Sequence, residues 1–110
     1  MKTQRDTGTL PTAYFCVNDV YAERLIAVFH ELKVRVPYDA SVIGFGNYEV
    51  ASTVLPPLTT IQAPMKSMGE LAVQQVVSVS ETNLLSRGAI RTLLSTEVVE
   101  RASVYINEAQ

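Results

Sequence analysis

Residues 41–48 read Ser-Val-Ile-Gly-Phe-Gly-Asn-Tyr (SVIGFGNY), an apolar run that leads directly into a loop with two glycines. The apolar residues of this run are continuous rather than alternating, which predicts a strand covered on both faces. An earlier apolar run, residues 11–17 (PTAYFCV), predicts a first buried strand. A helical pattern separates the two strands. The segment therefore predicts a β-α-β unit with a right-handed crossover in a parallel sheet.

The pattern between the two strands is that of an amphipathic helix. It begins after Asn18 and Asp19, two residue types that cap helices well. We expect the helix to end before Pro37, because the residue that precedes a proline disfavours helical backbone. The apolar stripe consists of Ala22, Leu25, Ile26, Phe29 and Leu32.

The rest of the chain predicts short strands and helices joined by polar segments, so the predicted fold class is α/β with a parallel sheet. The last residues, 107–110, are expected to fray. The predicted elements are a short helix or irregular turn over residues 49–54, a strand over 58–62, a helix from Pro64 or Met65 to about Val79, a loop over 80–88, and strands over 91–94 and 97–99.

Composition and charge exclude several classes of protein. The chain has 110 residues, enough for one domain of ordinary size. Its nine Lys and Arg residues are spread singly and its net charge is −2, so it has no basic stripe for nucleic acid. No apolar run approaches the ~20 residues of a membrane span. The polar start carries no pattern of a secretory signal, so a cytoplasmic location is expected.

The sequence carries no catalytic signature. His30 is the only histidine and falls within the predicted helix, and the single Cys16 lies in an apolar run that predicts a buried structural thiol. One His and one Cys cannot assemble a structural zinc site. Gly44 and Gly46 lack the third glycine of a dinucleotide fingerprint. We therefore expect no enzyme, no cofactor and no metal.

The carboxyl ends of the two predicted strands form a candidate ligand-binding edge. Asn18 and Asp19 follow the first strand, and Gly46 and Asn47 follow the second. Ligands of open parallel sheets lie outside the carboxyl ends of the strands, and a carboxamide offers two hydrogen-bond donors and an acceptor. The alternative, in which Asn18 and Asp19 only cap the helix, stays open.

Four segments in order resemble the C-terminal part of the LacI/GalR family of bacterial transcriptional repressors. They are PTAYFCVNDVYA, VRVPYDASVIGF, PPLTTIQAPMKSMGELAV and STEVVERASV. The resemblance extends over residues 11–104. It implies a periplasmic-binding-protein-like sensor, in which two α/β lobes surround a small-molecule cleft and the same domain dimerises.

The resemblance also implies a piece of a repressor, or a truncated one, without the headpiece that binds operator DNA. Such a piece would hold incomplete parts of both sheets, so we expect the isolated chain to be poorly stable or to associate with itself. The implied divisions are a polar lead over residues 1–10, the C-terminal lobe over 11–60, a segment of the N-terminal lobe over 61–94, a return to the C-terminal lobe over 95–104, and a tail over 105–110.

Five residues are implied as effector contacts. Asn18 matches a polar position that contacts effector in several family members. Gly46 stands where the family usually carries an aspartate, which contacts sugar hydroxyls or a purine co-repressor. Asn47 could substitute in part for that aspartate. Ala63 and Met65 fall where some members use a polar hinge residue and an aromatic one. Without the carboxylate, we expect an effector other than a plain neutral sugar: a phosphorylated sugar, an acidic metabolite, or none.

The family pattern places a dimer interface on the outer face of the first helix and on the segment before PPLTT. The function that the resemblance implies is the effector-sensing and dimerising portion of a repressor of sugar or related catabolic genes. Two alternatives stay open: a solute-binding protein of a sugar transport system, and an interaction module that has lost its ligand. The implied interface residues are Glu23, Ala27, His30, Thr53 and Val54.

Overall fold

A computed structural model describes residues 10–82 and 88–106. No helix within these residues is long and apolar enough to cross a membrane. The elements, in chain order, are β1 (Ala13–Phe15), α1 (Asp19–Glu31), β2 (Ser41–Ile43), α2 (Glu49–Thr53), β3 (Thr60–Gln62), α3 (Met65–Thr82) and β4 (Glu97–Val99).

The first three elements form the predicted β-α-β unit. Strands β1 and β2 pair in parallel, with Ala13 opposite Ser41 and Phe15 opposite Ile43. On the other edge of β2, Ile43 forms a parallel bridge with Thr59, just before β3. Strand β3 in turn pairs with β4. The parallel α/β architecture predicted from the sequence is therefore confirmed.

Helix α1 packs its apolar stripe into the core. Ala22, Ile26 and Phe29 are buried, whereas Leu25 and Leu32 are half-buried. The helix ends at Glu31, well before Pro37, because the backbone turns at Lys33. Lys33 has a φ of 58°, and the amide of Val34 donates to the carbonyl of Phe29 at 2.8 Å. This left-handed residue with its backward hydrogen bond is a common way to end a helix. The buried core consists of Ala22, Ile26, Phe29, Val34, Ala40, Val42, Ala51 and Leu58.

The chain divides into two compact units. The first comprises Met1–Gln62 and Val98–Gln110 and contains the core described above. The second, Ala63–Glu97, contains α3. Helix α3 carries large apolar side chains that are exposed: Met65, Met68, Val73, Val76 and Val77.

Several predictions about individual segments are wrong. Residues 91–94 are not a strand; they are exposed and join no β-ladder, so their apolar pattern has no neighbouring strand to pair with. Helix α3 continues to Thr82, beyond the predicted end at Val79, and residues 83–87 of the predicted loop lie outside the described residues. The first strand is not buried as predicted, because Ala13 and Phe15 are exposed. Cys16 is half-buried rather than buried.

Candidate ligand-binding edge

The loop after β2 has a backbone that only glycine adopts easily at residue 46. Gly46 has a φ of 120°, and its amide donates to the carbonyl of Ile61 at 2.7 Å. A β-carbon at this position would lie 2.7 Å from Cε1 of Tyr48. Side-chain-bearing residues rarely adopt such a φ. The second glycine is therefore a requirement of the local fold, and an aspartate at this position would be strained.

Asn47 has a left-handed backbone, with a φ of 53°, and its side chain points towards two polar neighbours. Its Oδ1 accepts a hydrogen bond from Nη2 of Arg101 at 2.7 Å. Its Nδ2 donates to Oε1 of Gln62 at 2.9 Å, and its backbone amide donates to Oγ1 of Thr60 at 3.3 Å. The side chain is therefore held in one orientation. Residue 47 lies in the loop after β2, as its place beside two glycines predicts.

Asn18 caps α1. Its Oδ1 accepts from the backbone amide of Tyr21 at 3.0 Å, so the capping interpretation is confirmed for this residue. Its carboxamide nitrogen has no hydrogen-bond partner within residues 10–82 and 88–106. The residue next to it reaches the loop after β2, because the amide of Asp19 donates to the carbonyl of Phe45 at 3.1 Å. The structure therefore brings Asn18, Gly46 and Asn47 to the same end of β1 and β2.

Asp19 does not cap the helix; it connects the ends of three strands. Its carboxylate is fully buried. Oδ1 accepts from the hydroxyl of Thr60 at 2.5 Å, and Oδ2 accepts from the backbone amide of Tyr48 at 2.6 Å. Gly44 leaves the space that this carboxylate fills, since a β-carbon there would collide with Oδ1 of Asp19 and lie 2.8 Å from Leu58. Asp19 therefore stabilises the loop after β2 from beneath the edge, and its carboxylate is not available to a ligand.

Arg101 is the residue of this edge that sequence reasoning missed. It follows β4, and its amide donates to Oγ1 of Thr59 at 2.9 Å. Nη1 donates to the carbonyl of Leu58 at 2.9 Å, and Nη2 donates to Asn47 as described above. Within the described part of the chain no carboxylate pairs with this half-buried guanidinium; the ion pair found there joins Arg35 and Asp39. The signal that could have found it was a cation inside STEVVERASV, separated by Glu100 from a predicted strand.

The C-terminal segment is tied to the sheet next to Arg101. The buried hydroxyl of Ser103 donates to the carbonyl of Val42 at 2.5 Å and accepts from the amide of Thr59 at 2.8 Å. The amide of Val42 donates to the carbonyl of Ser103 at 2.9 Å. These bonds join residues more than 40 positions apart and hold Arg101 against the loop after β2.

Ala63 and Met65 belong to the second unit. Ala63 is half-buried, and its carbonyl accepts from the amide of Met65 at 2.9 Å. Met65 is the first residue of α3, and its side chain is exposed. Their roles as effector contacts stay predictions.

The implied interface residues lie on the first unit. Glu23, Ala27 and His30 follow one another along α1; the first is half-buried and the other two are exposed. Thr53 ends α2 and is exposed, and Val54 follows it, half-buried. Their role in dimerisation stays a prediction. A cavity of about 550 Å³ adjoins His30 and contains none of the implied effector contacts; it is lined by Ile26, His30, Lys33, Val34, Arg35, Val36, Tyr38, Leu55 and Pro56.

Comparison with known proteins agrees with this architecture. The family model for the periplasmic binding protein-like domain matches residues 1–104. The HTH-type transcriptional repressors PurR of Photobacterium profundum and of Aliivibrio fischeri are 48% identical over 64 residues and 38% identical over 94 residues. These stretches cover 58% and 86% of this chain but 19% and 27% of the two repressors.

A solved structure extends the comparison to the whole described fold. The lac repressor dimer bound to operator and the anti-inducer ONPF superimposes with a TM-score of 0.80 at 28% identity. The match covers 94% of this chain and 35% of that repressor chain. The fold is that of a periplasmic-binding-protein-like domain. The chain belongs to that domain family, within the LacI/GalR group of bacterial transcriptional regulators. These relatives are repressors and not enzymes, so the prediction of a non-enzymatic chain is confirmed.

Proposed function

We propose that this chain forms the effector-sensing and dimerising portion of a bacterial transcriptional repressor that controls sugar or related catabolic genes. Operator DNA would be bound through a headpiece outside this chain, and the protein would act in the cytoplasm without a cofactor. The observation that supports this most is the edge at the carboxyl ends of β1 and β2, where Asn18 caps α1 and Asn47, in the loop after β2, is bonded to Arg101. Ligands of open α/β sheets bind at such edges.

The mechanism follows from thermodynamic linkage. An effector that binds one conformation of the sensor better than another shifts the population towards that conformation. If only one conformation suits operator binding, effector and operator change each other's affinity by the same factor. Asn47 is suited to this role, because its side chain touches Gln62, the last residue before the chain leaves the first unit. It also touches Arg101, which follows the point where the chain returns at Val98.

The relatives favour a repressor over a solute-binding protein of a transport system, since those compared above are transcriptional repressors. The chain spans about a fifth to a quarter of the length of these relatives. The test therefore places it in a complete repressor.

A chimera tests the proposal. The matching segment of the Aliivibrio fischeri PurR repressor is replaced by this chain, and operator affinity is measured by fluorescence anisotropy with and without candidate metabolites. We expect at least one metabolite to change operator affinity about 5- to 150-fold, the usual range of allosteric coupling. Asn47→Ala should reduce this change, whereas Ser52→Ala, an exposed hydroxyl on α2, should leave it intact.

Circular dichroism and light scattering establish that the chimera is folded and dimeric before binding is measured. A folded, dimeric chimera that binds operator with the same affinity in the presence of every metabolite would contradict the proposed sensor function. It would favour the interaction module that has lost its ligand.

A further inference from the structure

At the edge formed by Asn18, Gly46 and Asn47, both carboxamide oxygens accept a hydrogen bond from the protein, while several N–H groups donate no bond to it. An arginine guanidinium can only donate, so the atom of Asn47 that faces Arg101 must be Oδ1. The backbone amide of Tyr21 can only donate, so the atom of Asn18 that faces it must also be Oδ1. Both carboxamide oxygens are therefore used within the protein. The N–H groups that make no such bond are both of Asn18 and one of Asn47, and each oxygen keeps one lone pair.

The charged groups near this edge also favour an anionic ligand. The family's aspartate position is Gly46, and the carboxylate of Asp19 is buried with each oxygen accepting a hydrogen bond. Arg101 carries a full positive charge, and in the described residues its guanidinium bonds only to neutral oxygens, those of Leu58 and Asn47. Three of its five N–H groups are not used by these two bonds. A half-buried, unpaired cation is stabilised by an anion at close range.

We propose that the effector of this sensor is an anionic metabolite that carries a phosphate or carboxylate group, and that Arg101 determines this preference. The inference rests on the proposed sensor function and deepens it. Arg101 acts in two ways. Its charge favours the anion, and its hydrogen bond fixes Oδ1 of Asn47, which leaves one N–H of Nδ2 beside the bond to Gln62 free to donate. Arg101 is thus a specificity-determining and positioning residue.

A neutral sugar fits this edge poorly. Each sugar hydroxyl carries a proton that needs an acceptor, and the carboxamide oxygens of Asn18 and Asn47 each already accept one hydrogen bond from the protein. Without a carboxylate to receive those protons, neutral-sugar affinity falls by about ten- to a hundredfold. A phosphate or carboxylate only accepts, so it matches a surface of donors.

Matched ligands separate the possibilities. Binding to the folded chimera is measured by calorimetry at constant ionic strength, because exposed charge interactions are screened by salt. The probes are glucose, glucose 6-phosphate, gluconate and inorganic phosphate. We expect glucose 6-phosphate or gluconate to bind at least tenfold more tightly than glucose, and the difference between these two anions identifies the preferred group. Glucose that binds as tightly as both anions would overturn the proposal.

Substitutions test the role of Arg101. Asn47→Asp places a carboxylate of the same shape against the guanidinium and neutralises it. We expect this variant to lose at least tenfold in affinity for inorganic phosphate and for the preferred anion. Arg101→Gln should do the same, whereas Arg101→Lys, which keeps the charge, should retain most of the affinity. Asn47→Asp exchanges the bond to Arg101 for an ion pair and loses the donor to Gln62, so circular dichroism establishes that each variant is folded before its binding is measured. Unchanged anion binding in a folded Asn47→Asp variant would overturn the assignment.

The two proposals fail in different ways. Tight binding of neutral sugars that changes operator affinity would contradict the anionic effector and leave the repressor function intact. Anion binding that never alters operator affinity would contradict the repressor function and leave the chemistry of the edge intact.

Discussion

The carboxylate of Asp19 occupies the space that a side chain at Gly44 would fill. Its Oδ1 lies where a β-carbon of residue 44 would collide with it, while Oδ2 receives the backbone amide of Tyr48 at 2.6 Å. The first glycine of SVIGFGNY therefore allows a buried acid from the start of α1 to reach the loop after β2. This close approach joins the start of α1 to the loop after β2, beneath the candidate ligand-binding edge.

The pair Asp19 and Gly44 is expected to be energetically coupled. Gly44→Ala forces the new methyl group against Asp19 and Leu58, and overpacking of this kind costs about 1–3 kcal/mol of unfolding free energy. Asp19→Ala removes the acceptor of Tyr48 and Thr60 and costs about 1–3 kcal/mol. The double variant should lose less than the sum, because the alanine at residue 44 then meets no carboxylate. Urea denaturation of all four proteins measures the coupling, and strict additivity would contradict it. Glu31→Ala, an exposed acid at the end of α1, serves as control.

Gly46 is expected to resist every substitution, including the aspartate typical of the family. Gly46→Ala places a β-carbon 2.7 Å from the Tyr48 ring at a φ of 120°, which costs about 1–3 kcal/mol. Gly69→Ala is the matched control, because the space around Gly69 in α3 is open and alanine favours helix by about 1 kcal/mol. Thermal melts followed by circular dichroism should show opposite shifts for the two variants. A shift in the same direction would contradict the strain at Gly46.

Two substitutions at residue 46 separate the effect of charge from the effect of shape, because both impose the same backbone strain. Gly46→Asp and Gly46→Asn introduce side chains of equal size at the same φ, so both should destabilise the chain similarly. Only the aspartate variant adds negative charge near Arg101. We expect it to weaken binding of glucose 6-phosphate in calorimetry relative to Gly46→Asn. Equal affinities of the two variants would show that charge at this edge is unimportant.

The exposed apolar side chains of α3 are expected to drive self-association of the isolated chain. Val73 is 64% exposed and Val76 is 70% exposed, on a helix that also carries exposed Met68 and Val77. Apolar clusters of this kind are uncommon on stable monomers. Sedimentation equilibrium should show a mass that rises with concentration, and Val76→Glu should reduce the association. Gln74→Glu adds the same charge to an exposed polar position of the helix and should have a smaller effect. A monomer with a sharp, concentration-independent thermal transition would contradict this expectation.

The half-buried thiol of Cys16 is expected to react slowly at neutral pH. Burial raises the pKa of this thiol above its ordinary value, because the thiolate loses hydration. The folded state therefore keeps the proton to a higher pH than the unfolded state, and its contribution to stability declines as the pH rises above the ordinary thiol pKa. Alkylation by iodoacetamide should be slower than that of free cysteine at pH 8 and should accelerate as the pH rises. In urea the rate should approach that of free cysteine. Equal rates in the folded and unfolded chain would contradict the raised pKa.

Local patterns predicted the helices well. The stripe of α1 places Ala22, Ile26 and Phe29 in the core, and Asn18 caps the helix as its side chain and position predict. These features depend on residues within one or two turns of each other, so neighbouring residues in the sequence predict them. A short helix or irregular turn was predicted over residues 49–54, where the structure has the helix Glu49–Thr53. The strand over residues 97–99 was predicted from its local pattern as well.

Contacts between distant segments were not predictable in this way. Arg101 and Asn47 are 54 positions apart, and Thr60 and Asp19 are 41 positions apart. Whether two such side chains meet depends on strand order and on the direction in which each loop turns. The positive φ of Asn47 aims its carboxamide at Arg101 rather than along a strand. The prediction of a strand over residues 91–94 was wrong because a β-ladder requires a neighbouring strand, which the local sequence does not specify.

By itself, the sequence determined the α/β class, the β-α-β unit and membership of the LacI/GalR group, because periodicity and collinear motifs are properties of the chain order. It also marked residue 46 as the position where the expected aspartate is a glycine. Only the tertiary structure decided why that glycine is needed and what surrounds it. The buried carboxylate of Asp19, the Tyr48 ring and the unpaired charge of Arg101 come from separate segments. Their chemistry depends on distances that exist only once those segments have packed together.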